Sequence, residues 1–409
     1  MRGLGKSLLA GTLVGTLTCA AATSFAQSVF SDQVQTGDVL SDQTLDVVTI
    51  EESTTATTTA TGNAFDARQD GGDVDMRVNQ NLQGNVSADT RLNVAASSGA
   101  TTVLTTAATG NTSDAGVFNG TLTGVYNQTT GPVAITGHSH TEAPNADAGD
   151  VSSSVQAIGN SQGVGVSYGV SGVRINQTNE AQVTTDGGGV YGQVNGAAAF
   201  VAATAANNIT TTSEGGSSQR IIANQANNAG LTQAAQFTAF GQAYVATTQT
   251  TATGNNVSAT NQGPLLDATI DQTNVAYVRS QAETSAAAFS SVTATAYGIG
   301  NSSLAGNLGE EVIVDNTQFN EGGGVESVAA FTGGDGYDGL ASATAIGNAA
   351  TGFACSDCGG RMTVSNRQTN DADVGSTSSV TVSGSGRAVA GVSTAIGNTA
   401  SYYTSRPSQ

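Results

Sequence analysis

Apolar and polar residues alternate with a period of two along most of the chain. Val173, Ile175, Gln177, Asn179, Ala181 and Val183 share one face, and Ala268, Ile270, Gln272, Asn274, Ala276 and Val278 repeat the arrangement. The same parity returns in Met76, Val78, Gln80, Leu82 and Val86, in Ile221, Ala223, Gln225, Asn227 and Ala229, and in Met362, Val364, Gln368, Asn370, Ala372 and Val374. A period of two rich in β-branched residues predicts strands, and the glutamine falls on the apolar side of each. Elsewhere the parity selects very small residues: Val155, Ala157 and Gly159; Val292, Ala294, Ala296, Gly298 and Gly300; Val389, Gly391, Ser393, Ala395 and Gly397. Only a thin core fits there, with two backbone walls close together, and the Gly-Asn that follows suits a turn with positive φ. Helices are disfavoured, because Thr, Gly, Asn and Val are weak helix formers and no capped stretch of period 3.6 is present.

These strands recur. Equivalent glutamines stand at Gln43, Gln80, Gln128, Gln177, Gln225, Gln272, Gln318 and Gln368. Between them a Gly-Asn or Asn-Asn pair ends at Asn63, Asn111, Asn160, Asn208, Asn255, Asn301, Asn348 and Asn398. The distance from Asn to the next Gln is 17 residues six times and 20 once, giving eight units of about 48 residues. A fixed period of this kind marks a repeat architecture. Buried amides are costly unless partnered, so glutamines recurring on an apolar face predict ladders in which each bonds its equivalent one level away. In-register parallel strands about 4.8 Å apart place like over like. The prediction is therefore an all-β chain, a β-solenoid (β-helix) over residues 27–400, with two coils of about 24 residues per unit rather than one broad coil. The first unit, short by 11 residues between Gln43 and Asn63, reads as a cap. Pro132, His138, His140 and Pro144 predict a loop leaving the stack, and residues 401–409 a fraying tail.

Composition sharpens the class. Gly 53, no Trp and 11% charged residues lean toward low complexity, yet strict spacing and alternation are not features a disordered linker keeps. Residues 1–26 read as a secretory signal peptide: Arg2 and Lys6 are basic, Leu8 to Ala22 is apolar, and Ser24-Phe25-Ala26 precedes a cleavage point. A lipoprotein reading would use Cys19, for which Leu17 and Thr18 fit the small-residue consensus poorly. Loss of Arg2 and Lys6 from the 12 basic residues leaves ten against 31 acids, a formal charge of about −21. That balance excludes the cationic footprint nucleic acid requires and suits an exported protein able to gather divalent cations.

Few residues offer chemistry. Gly333 to Leu340, carrying Asp335 and Asp338, matches one copy of a calcium-binding glycine-rich nonapeptide; calcium sites of that type need adjacent copies, and a flexible acidic turn is the alternative. His138, His140 and Glu142 form a weak transition-metal candidate against a solvated loop. Cys355 and Cys358 form a Cys-x-x-Cys for which a local disulfide is the default in an exported chain. No cluster of carboxylates with a basic residue suggests glycan cleavage, so no catalytic residue and no required cofactor is assigned.

The tandem Gln-x-Asn strands, with Ser393-Thr394-Ala395-Ile396-Gly397-Asn398 and Ala343-Thr344-Ala345-Ile346-Gly347-Asn348, resemble the holdfast anchor protein D family (HfaD) of stalked bacteria, and more remotely the curlin repeats of functional amyloid. The resemblance implies a surface protein, associated with the outer membrane at a cell pole, that anchors a polysaccharide holdfast. It also implies companion holdfast anchor proteins, a curli-type outer-membrane export component and homo-oligomers. The alternatives are a self-polymerising, curli-like amyloid subunit and, more remotely, a polysaccharide-cleaving β-helix.

Overall fold

A computed structural model describes residues 27–355 and 359–405; the signal peptide expected over 1–26 and Cys358 lie outside the described residues. Every strand pairing is parallel. Each joins a residue to its counterpart one repeat away, with offsets from 46 (Leu231 opposite Tyr277) to 50 (Asp338 opposite Ala388). The chain is thus a β-solenoid with one broad coil per repeat. The expectation of two coils fails because the half-unit of about 24 residues is one wall of a flattened coil. Side chains of a single coil meet across its lumen, as when Thr90 Oγ1 donates to Thr58 Oγ1 at 2.7 Å. The chain reverses at Gly71 and Gly72, with φ of 73° and 84°, and at Gly99, with φ of 95°.

Alternation puts every second side chain into the lumen, where like stacks on like in three zones. One end zone is mostly aliphatic, with Leu122, Ile175, Ile221 and Ile270 buried beside Tyr126. The other gathers Leu92, Leu104, Tyr191, Phe200, Phe240, Phe289 and Phe331, and the aromatic rings contact one another both within a coil and between coils. The waist between them is mostly alanine and valine, including Ala60, Ala108 and Ala157, with Leu82 and Ile135. Small side chains there bring the walls within reach of a single amide, while each large aliphatic buried in the end zones contributes roughly 1.5–3 kcal/mol.

The register corrects further expectations. Gln33, not Gln43, stands opposite Gln80, and Gln43 stands opposite Thr90. Ser31-Asp32-Gln33 and Ser41-Asp42-Gln43 share one local sequence, and the glutamine of the second faces inward in a different zone. The first repeat is consequently of ordinary length. Asn207, not Asn208, continues the inner asparagine series, being opposite both Asn160 and Asn255. An Asn-Asn pair gives no local cue to which member turns inward. The loop expected around Pro132, His138, His140 and Pro144 does not leave the stack: the strand Ala134–Ala148 holds both histidines and Pro144, and the irregularity around Pro144 is absorbed by a register shift between Ala143 and Asp147. At the far end the strand Ala388–Ser405 carries the tail in register to Ser405, beyond the predicted fraying point at Ser401.

Candidate functional site

Two amide ladders clasp the waist. Gln177 Nε2 donates to Gln128 Oε1 at 2.7 Å and to the Asn208 carbonyl at 3.0 Å, and its Oε1 accepts from Gln225 Nε2 at 2.8 Å. The pattern runs from Gln33 and Gln80 through Gln272 and Gln318 to Gln368. On the facing wall Asn63, Asn111, Asn160, Asn207, Asn255, Asn301, Asn348 and Asn398 form the second ladder. Each asparagine from Asn63 to Asn348 also donates across the lumen to the carbonyl after a ladder glutamine, as Asn111 Nδ2 does to Thr129 O at 2.9 Å. The waist is therefore cross-braced in both directions, which is how it holds polar groups that burial would otherwise penalise.

The ladders run oppositely. Glutamine donors point toward the first coil, asparagine donors toward the last, so the two rows of amide dipoles lie antiparallel. A third row, built from the Asn of the Gln-x-Asn motif, links Asn179, Asn227, Asn274, Asn320 and Asn370.

The remaining candidates lie apart from this scaffold. Asp335 accepts from the Ser385 amide at 2.8 Å and hydroxyl at 3.0 Å, while Asp338 pairs with Arg387. Those donors hold both carboxyls below their ordinary range, and the two acids turn to different partners in the neighbouring coil. His138 Nδ1 meets Asp89 Oδ1 at 2.8 Å, and His140 Nε2 lies 3.4 Å from Glu142 Oε2, the two rings stacking outside the solenoid at 6.3 Å. Among the described residues no group of three or more His, Cys, Asp and Glu is arranged to hold a metal ion. Cys355 is buried and disulfide-bonded.

The ends differ from the interior. Val29, Leu45 and Val47 on the first coil, and Met362, Val364, Val380 and Val382 on the last, belong to the same inward rows yet are only partly buried. Among the described residues no coil covers either end. The first half-coil, residues 27–52, carries six acids and no base, whereas the last coil, 361–405, carries Arg361, Arg367 and Arg387 against Asp371 and Asp373. Sequence reasoning overlooked these ends because an uncovered inward row reads the same as a covered one.

A model described as holdfast attachment protein D (HfaD) matches residues 48–324, more than half of the chain. No curated protein and no solved structure matches it.

Proposed function

The chain belongs to the holdfast attachment protein D family, and from that premise we propose that it is a non-catalytic anchor joining a polysaccharide holdfast to the cell envelope. In this reading the solenoid is a rigid spacer at the outer surface of one cell pole. It reaches that surface through a curli-type export component and engages companion anchor proteins or further copies of itself by strand addition at its ends. The carrying observation is the pair of uncovered ends, since an open parallel edge with unsealed apolar rows is a template for another coil. A strain lacking the protein should shed its adhesive under flow, and retention of the adhesive would sink the reading.

A second reading, a self-polymerising fibre subunit, is favoured by the match between the two ends. Continuing the register, with Gln33 of one copy on Gln368 of another, gives a glutamine amide donor facing a free acceptor. It likewise brings Asn398 onto Asn63 and Asp32 beside Arg367. Purified protein that stays monomeric and never yields the 4.8 Å fibre reflection counts against it.

A further inference from the structure

A groove of about 650 Å³ lies on the outer wall, next to the turns of four successive coils. Register makes it a grid. Asp66, Asp114, Gly163 and Thr210 form one column, Arg68, Gly116, Gly165 and Thr212 the next, and Asp70, Phe118, Ser167 and Glu214 the third. Glycines at 116, 163 and 165 leave the middle without side chains. A Cβ on Gly165 would meet nothing within 4 Å, so packing does not demand glycine there. The floor spans three rungs, about 14 Å along the axis.

Phe118 lines one side of the groove, and Tyr168 stands just beyond it in the next coil. Phe118 is 50% exposed and Tyr168 62% exposed, and their rings meet edge to face at 5.5 Å. Tyr168 takes φ +55° at a turn position where the neighbouring coils place Gly71, Asn119 and Gly215. A bulky residue in that region is strained, and strain of this kind collects at functional sites. Its ring lies over Gly215, where a Cβ would sit 2.7 Å from the ring. Two exposed rings are thus held as a ledge beside an empty floor, at a position where glycine would serve the fold better.

The charge around the floor is lopsided. Arg68 is the only base lining it, and it is held by Asp114 at 2.7 Å and Asp66 at 3.4 Å. Asp70 and Glu214 stand at opposite ends, and among the described residues neither is in an ion pair, Arg68 beside Asp70 being turned to Asp66 and Asp114. A polyanion is repelled here, whereas a ligand with flat apolar faces, many hydroxyls and scattered positive charge is complementary. We propose that this groove binds a run of a polysaccharide whose sugars carry free amino groups, the pyranose faces lying on Phe118 and Tyr168 and the ammonium groups toward Asp70, Asp114 and Glu214. The assignment rests on the anchoring reading above and supplies the contact surface that reading lacks.

Calorimetry on the purified chain tests it with three probes: a glucosamine oligomer, its fully N-acetylated counterpart and an oligouronate. The glucosamine oligomer should bind, the acetylated one more weakly, and the oligouronate not at all. Phe118→Ala, Gly165→Ile and Tyr168→Gly should each weaken binding by about tenfold. A Cβ at position 165 meets nothing within 4 Å, so Gly165→Ile should fill the floor and, like Tyr168→Gly, melt no lower than the parent; melting curves of all three variants separate lost binding from misfolding. Unchanged affinity in Gly165→Ile and Phe118→Ala, equal binding of the acetylated oligomer or oligouronate, or no binding of any probe overturns the proposal. The two readings fail separately: a deletion strain that keeps its adhesive defeats anchoring while leaving the groove measurements intact. A strain that sheds it, with binding indifferent to the groove variants, defeats the groove alone.

Discussion

Gln272→Glu is the sharpest perturbation of the ladder, because it keeps size and shape while reversing one amide. Gln272 is fully buried. Its Nε2 donates to Gln225 Oε1 at 2.8 Å and Ser302 O at 2.9 Å, and its Oε1 accepts from Gln318 Nε2 at 2.7 Å. A carboxylate could still accept from Gln318, but it would press against two acceptors at a residue with no solvent exposure. Burial and those acceptors both favour the neutral acid, raising its folded pKa well above the ordinary 4.3 or so. Once protonated, the acid donates to one of the two acceptors and orphans the other, at roughly 1–3 kcal/mol. Because the folded value is raised, this is the whole loss below the unfolded pKa. Above it, stability falls by about 1.36 kcal/mol per pH unit until the folded pKa is reached. A folded value at or above neutrality therefore adds about 3.7 kcal/mol at pH 7. Urea denaturation of variant and parent from pH 4 to pH 7 reads the difference, with Gln272→Leu as a non-titrating control that loses all three bonds. A Gln272→Glu penalty independent of pH, or none at pH 7, would falsify the inward, donor-directed ladder.

The scaffold makes three further predictions. Gly300→Ala should lower the melting temperature, since its Cβ would lie 2.5 Å from Gly347 O and 2.6 Å from Asn320 Oδ1, whereas Gly172→Ala, with nothing within 4 Å, should hold or raise it. Burial pushes the Asp89 carboxyl up, but hydrogen bonds from His138 and Arg91 outweigh it and hold it below 3.8; its contribution is present above that value and lost as pH falls below it, so Asp89→Asn should flatten the acid limb of an acid-unfolding curve. Val380→Lys, on the uncovered last coil, should abolish end-on association in light scattering while leaving the monomer folded, whereas Val292→Lys, buried inside, should unfold its coils.

Strand content, parallel stacking and the inward glutamines were legible because a solenoid repeats its physics: the same lumen position faces the same demand in each coil, so parity and period coincide. Legibility ended where two local solutions look alike. Ser-Asp-Gln occurs twice within one half-coil, and only pairing tells Gln33 from Gln43. One wall of a flat coil has the same alternation as a narrow coil, so the sequence cannot separate them without the offset. The groove was invisible for another reason: its members, from Arg68 to Glu214, lie far apart in sequence on the outward parity, where no burial pattern marks them.

The energetics of the stack bear on what an anchor must do at its ends. In a repeat array each coil is stabilised by its neighbours, so interior coils gain two interfaces and terminal ones a single interface. Here the same inward rows that are sealed at Ile175 and Phe200 are only partly covered at Val29, Leu45, Met362 and Val380. A pull applied through the two termini loads those half-supported coils first, and unzipping begins there rather than at the cross-braced waist. The last coil has local reinforcement, in Arg361 and Arg387 bridging back to Glu311 and Asp338 and in the disulfide-bonded Cys355 at the junction before it. Between Gln27 and Ile50 no basic residue is present to make a comparable bridge. If force is carried along the axis, a partner coil seated on the first coil strengthens the chain at its weakest interface, because it turns an edge into an interior.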